Sequence, residues 1–171
     1  ITLLIMIKFF NSILNKKKKM SLFNYGQMIL QENLKLINSF MDENLKDPDS
    51  PFSICNKNAL FTELLVLAVW SLFNLGLKKE VLASIVQNLS VASTTKNENS
   101  IDEFTNFIVQ RSQEYNNLFK DGSESQMMVL MSNVASNIDK DLSLNIFTNM
   151  ELLELLVQIT ELNSKLIKYG D

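Results

Sequence analysis

The chain is predicted to fold as an all-α, single-domain bundle of about six helices around a central apolar helix spanning 59–76. Three observations predict this. Of 171 residues, 46% are hydrophobic while only four are Gly and two are Pro, a balance that disfavours β-sandwiches, barrels and glycine-loop nucleotide folds. From Ala59 to Leu77 the sequence A-L-F-T-E-L-L-V-L-A-V-W-S-L-F-N-L-G-L is almost unbroken in apolar residues, with Glu63 as its one charge. A helix that is apolar on nearly every face must be surrounded, and several other segments carry a one-sided apolar stripe at helical spacing that can surround it.

Residues 1–19 read as a leader, set apart from a bundle domain over 20–171. The segment is interrupted by Lys8, Asn11 and Ser12 and falls short of the roughly 20 apolar residues a span needs. Lys16 to Lys19 follow its apolar part, the reverse of a secretory signal. Two readings stand: residues translated ahead of a native start at Met20, or an amphipathic segment with Leu4, Ile7, Phe10 and Leu14 on one stripe and its lysines on an anionic surface.

Ser21–Leu45 has Leu30, Leu34, Ile37, Met41 and Leu45 at helical spacing, with Gly26 weakening its first turns by about 1 kcal/mol relative to Ala. Pro48 and Pro51 make Lys46–Asn58 a connector, from which Phe52 and Ile54 are expected to tuck back onto the core. Asn58 is placed as the cap of the central helix. Gly76, followed by Leu77, has the pattern of a left-handed glycine that ends a helix. A short helix from Lys78 and Lys79 to Leu89 follows, expected to form a hairpin with the central one.

Ser90–Asn99 is polar and reads as a loop. Ser100 and Glu103 form a capping box, opening a helix to Phe119 with Ile101, Phe104, Ile108, Arg111, Tyr115 and Leu118 on its stripe. Asp121-Gly122 is a turn. Ser123 with Gln126, and Thr148 with Glu151, form two more boxes. They open helices striped by Met127, Leu130, Met131, Val134 and Ile138, and by Leu152, Leu155, Ile159, Leu162, Leu166 and Tyr169, the last stopping at Gly170. Agreement between caps and periodicity supports the fold.

The central run is expected to be a buried core helix rather than a membrane span, because an intramembrane carboxylate such as Glu63 is rare. A buried charge needs a partner. Arg111 is the sole Arg of the chain and lies on an apolar stripe one turn from Phe107 and one from Tyr115. The planar fork of Arg suits a carboxylate and does not shed its proton. Glu63, Arg111 and Tyr115 are therefore the candidate buried polar cluster, an ion pair with the tyrosine donating nearby. The competing arrangement leaves Glu63 in an exposed first turn and Arg111 reaching to water.

Other chemistries are poorly supplied. Histidine is absent and Cys55 is the sole cysteine, which removes His-containing triads, intrachain disulfides and the usual transition-metal ligand sets. Asp139, Asp141, Ser143 and Asn145 imitate the start of a calcium loop, but Leu144 holds the required glycine position and Met150 the bidentate one. That segment reads as an interhelical loop. Met127, Met128, Met131 and Met150 read as core filling. The Lys and Asn bias reads as the imprint of AT-rich coding sequence, so runs of either carry little weight.

The function expected is a non-enzymatic helical module that binds another protein, or a second copy of the chain, with no cofactor and no metal. A net charge of −3 and the lack of a basic stripe argue against nucleic acid. One alternative is a carrier or sensor whose core admits an apolar small molecule, suggested by the many Phe and Met residues. Another is a peripheral membrane-surface protein that attaches through residues 1–19. The single cysteine suits a reducing, cytoplasmic compartment.

Overall fold

The computed structural model describes residues 21–93, 98–120 and 122–168. The leader over 1–19, the stripe residue Tyr169 and the stop at Gly170 lie outside the described residues, as do the side chains of Ser100, Ile101 and Leu89. Six α-helices follow one another: α1 (Leu22–Asn44), α2 (Lys57–Asn74), α3 (Lys79–Ser93), α4 (Glu98–Leu118), α5 (Glu124–Ile138) and α6 (Ile146–Lys168). A 3-10 turn, Lys140–Leu144, joins the last two, and no strand occurs among the described residues. The protein is an all-α bundle.

Helix α2 is its hub and touches each of the other five helices. Every residue from Leu64 to Leu72 is buried, so the helix has no solvent face over more than two turns. None of the helices in the described residues is long and apolar enough to cross a membrane.

The ends of α2 show how local sequence sets its limits. At the start, Asn56 rather than Asn58 is the cap: its side-chain oxygen accepts from the backbone N–H groups of Asn58 at 2.9 Å and Ala59 at 3.1 Å. Asn58 is itself the second helical residue, so its own N–H is one of the orphan donors that need such a partner. At the other end, Gly76 adopts φ +78°. The Leu77 N–H donates to Leu72 O and the Gly76 N–H to Phe73 O, both at 3.1 Å. This is the double closure of a Schellman end, and it buries Leu77 close to Leu72. The turn does not make α2 and α3 a closely packed hairpin, since α3 packs chiefly on α1.

Gly26 has a role in that packing. A β-carbon built on it would meet Ser84 Oγ at 3.0 Å and Ile85 Cγ1 at 3.4 Å. The residue that weakens α1 as a helix thus lets α1 and α3 approach closely.

Several boundaries differ from those read in the sequence. Helix α3 continues to Ser93 and α4 begins at Glu98, so the segment read as a loop over 90–99 is helical at both ends, and residues 94–97 lie outside the described residues. Ser100 is therefore inside α4 rather than at its cap. Ser123 does cap α5, accepting from the Gln126 N–H at 3.4 Å. Thr148 does not cap α6. That helix starts two residues earlier, where Asn145 accepts from the Phe147 N–H at 2.9 Å, and Thr148 is fully buried. In the connector Phe52 is buried and stacks edge-on against Phe40, with ring centroids 5.4 Å apart. Ile54 does the opposite and is 92% exposed. One of the four methionines assigned to the core, Met150, is on the surface.

Candidate functional site

Glu63, Arg111 and Tyr115 meet. Glu63 lies in the second turn of α2, past the exposed Lys57 and Asn58, and is 3% exposed. Arg111 and Tyr115 are one turn apart on α4 and project from the same side. The Tyr115 hydroxyl donates to Glu63 Oε2, and Arg111 Nε lies 3.3 Å from Glu63 Oε1. The arginine contact is an ion pair without the alignment of a hydrogen bond, since Nε has no hydrogen-bond acceptor. Arg111 also reaches outward: its NH1 donates to Glu114 at 2.8 Å, near the surface, and its guanidinium lies 5.3 Å from the centre of the Phe107 ring. The same side chain thus reaches both the buried carboxylate and the solvent boundary. Asn137 of α5 completes the group, donating to the Tyr115 hydroxyl at 3.5 Å.

Burial pushes the Glu63 carboxyl above its ordinary value of 4.5, against the opposing pull of the Tyr115 hydrogen bond, the Arg111 charge and Asn137. Burial, followed by the Glu63 charge, pushes the Tyr115 hydroxyl up as well. The tyrosine therefore remains a donor, as the contact requires. The group can hold a proton or a charge between α2, α4 and α5.

A second polar group, with no counterpart among the residues singled out in the sequence, joins α1, α2 and α6. Asn33 of α1 donates to Asn163 Oδ1 of α6 at 2.7 Å and to its own-helix Ile29 O at 2.9 Å. Asn163 donates in turn to Ala68 O and to Ser71 Oγ of α2, each at 3.4 Å. Ser71 and Thr160 share a further hydrogen bond at 3.2 Å. All but Thr160 are buried. Their signal was positional: Asn33 sits one turn from both Ile29 and Ile37, and Asn163 one turn after Ile159, all core positions.

Among the surface grooves that border α6 are two that Trp70 and Glu151 help to line. One, of about 320 Å³, is lined mainly by Trp70, Phe119, Met127, Leu153, Leu156 and Val157, with Ser71 and Thr160 beside them. The Trp70 indole crosses Phe119 edge-on at 5.7 Å and donates to Asn116 Oδ1 at 2.9 Å. The other groove, of about 290 Å³, lies between α1 and α6 and is bordered by Glu43, Glu151 and Glu154. Burial, then the nearby charges of Asp47 and Glu154, raises the Glu151 carboxyl. No group of three His, Cys, Asp or Glu side chains arranged to hold a metal occurs among the described residues. Asp139 instead closes the 3-10 turn, accepting from the Asp141 N–H at 3.0 Å.

The raised carboxyls set the sign of a pH dependence. Glu63 binds its proton more tightly folded than unfolded, so the folded chain holds more protons between the ordinary value and the raised one. Its contribution to stability falls as pH rises through that window, and grows on mild acidification. Glu151 acts in the same direction. The charged or titratable groups that act on Glu63 are Arg111, Tyr115 and Glu114, all of α4. Urea midpoints measured in steps downward from neutral pH are expected to rise, and Glu63→Gln to flatten that rise to the part left by Glu151. A wild-type midpoint that falls on mild acidification contradicts the assignment.

A bundle organised on a buried carboxylate is the class that the geometry defines. Compared with family models, curated proteins and solved structures, the chain finds no match.

Proposed function

We propose that the chain is a non-enzymatic helical module that binds another protein, and that it does so with the end of the bundle where the 3-10 turn meets α6. The observation that carries this reading is the exposure of four large apolar side chains within seven residues there. Leu144 is 90% exposed, Ile146 60%, Phe147 68% and Met150 57%. Scattered apolar residues on a surface need no explanation, but a contiguous group of them marks a contact surface. The buried polar side chains favour the non-enzymatic part of the reading. Glu63 has its partners within the core, facing its own helices rather than an open cleft.

The test is affinity recovery from the native host with the wild-type chain and with Phe147→Asp. A protein retained by the first and lost with the second, at unchanged circular dichroism, supports the proposal. Identical recoveries overturn the assigned surface. Sedimentation of the purified chain across a range of concentrations shows whether the partner is a second copy.

The groove beside Trp70 favours a second reading, a carrier or sensor for an apolar small molecule. Its volume falls at the lower end of the range of ligand pockets, about 300–1,000 Å³, and its walls are largely apolar. A neutral apolar dye that binds saturably, shifts Trp70 emission and is excluded by Val157→Trp supports it. The membrane-surface reading rests on residues 1–19, outside the described residues.

A further inference from the structure

We propose that α4 is a latch, which opens as a unit while the rest of the bundle stays folded, and that the contacts of Arg111 and Tyr115 with Glu63 are its catch.

The helix is set apart by what it buries. Among its described residues only Ile108 and Tyr115 are buried, whereas α2 buries eleven residues and α6 seven. It packs on α2, α3 and α5 and does not reach α1 or α6. Its apolar contacts with the core come from Ile108, the Tyr115 ring and the partly buried Phe104, Phe107 and Leu118, and to these it adds polar links to the hub. Tyr115 and Arg111 hold Glu63. Asn116 Oδ1 accepts from the Trp70 indole at 2.9 Å and from Asn74 Nδ2 at 3.4 Å. Following α4, Gly122 holds φ +71°, a turn conformation that suits a chain reversal rather than continued helix.

The two kinds of contact respond differently to opening. When an apolar interface parts, water gains nothing but exposed hydrocarbon. When α4 parts from α2, the Glu63 carboxylate, the Arg111 guanidinium, the Tyr115 hydroxyl and the Asn116 amide all regain hydration. A buried ion pair gains little over its hydrated state, because desolvation offsets most of the attraction. The opening of α4 is therefore less costly than that of α1 or α6, the condition for an independent unit of local unfolding. Opening uncovers the side of α2 that carries Glu63, which the closed bundle does not present, and exposes Trp70 beyond the groove that it already lines.

The experiment is hydrogen exchange of the full chain followed by mass spectrometry, with the wild type and Tyr115→Phe. Peptides from 103–118 are expected to exchange faster than those from α2 and α6 in the wild type. They are expected to accelerate about tenfold further in Tyr115→Phe, which removes a hydrogen bond to a charged group, while α1 and α6 stay unchanged. Equal acceleration in every helix overturns the proposal. So that the result does not depend on the variant folding, wild-type exchange is also followed in low urea. Opening of α4 should depend only weakly on urea, and Trp70 emission should shift before the main loss of helicity. A single urea dependence shared by α2, α4 and α6, with no early Trp70 shift, overturns it independently.

Discussion

A Glu63→Ala chain is expected to unfold with about 2–4 kcal/mol less stability than the wild type. Two losses add. The Tyr115 hydroxyl, fully buried, keeps only the 3.5 Å contact with Asn137, and an unsatisfied buried donor costs about 1–3 kcal/mol. The shortened side chain also leaves a void, at about 0.8 kcal/mol per methylene removed from a packed site. Arg111 contributes less to the loss, since it already reaches Glu114 near the surface. Glu63→Gln keeps the volume and an acceptor for Tyr115, so it should cost clearly less. Denaturant titrations of the three chains measure the difference. Equal stability of Glu63→Ala and wild type would show that the buried group holds nothing together.

Replacing Leu67 with alanine is expected to cost about 2–5 kcal/mol. Leu67 is fully buried at the middle of α2, where five helices converge on one. Relaxation into the void would require one of those helices to move against the others, and packed interiors resist that. Domains of this size are typically stable by about 5–15 kcal/mol, so the variant approaches the limit of folding. The measurement is the urea midpoint at constant slope. A loss below about 1 kcal/mol, the range of a mere volume-conserving exchange, would mean that the hub is loosely packed.

These two sites were legible to different degrees, for physical reasons. The hub could be read because a helix without a polar face has only one environment among polar-faced neighbours. Glu63 and Arg111 stood out because each is a lone charge among apolar residues, and burial makes such charges seek one another. Asn137, which supports Tyr115, was not visible. Asn33 and Asn163 do not stand out against the general abundance of Asn, although both interrupt apolar stripes at core positions. An amide in a stripe is as costly to bury unpaired as a hydroxyl, so position carries the signal where composition does not.

Boundaries and exposure were harder. Thr148 and Glu151 match a capping box, but Asn145 offers an equivalent oxygen one turn earlier and α6 begins there. Phe52 and Ile54 are neighbours in one connector, yet one is enclosed and the other almost fully exposed. Local pattern does not separate them, because the outcome depends on whether Phe40 stands opposite. The exposed group from Leu144 to Met150 was hidden for the same reason: apolar residues beside a turn look alike whether covered or not.

The hydrogen bond from the Tyr25 hydroxyl to Leu166 O, 2.9 Å long, has a practical bearing on how the protein is handled. It ties the beginning of α1 to the end of α6, so both flanks of the described bundle emerge at one pole. Helix α6 arrives there from roughly 30 Å away, at 1.5 Å per residue, having started at the opposite pole, where Phe147 and Met150 stand. A fluorescent label, an affinity tag or a solid support attached at either flank therefore projects away from the proposed contact face. Attachment at both flanks at once leaves that face unobstructed.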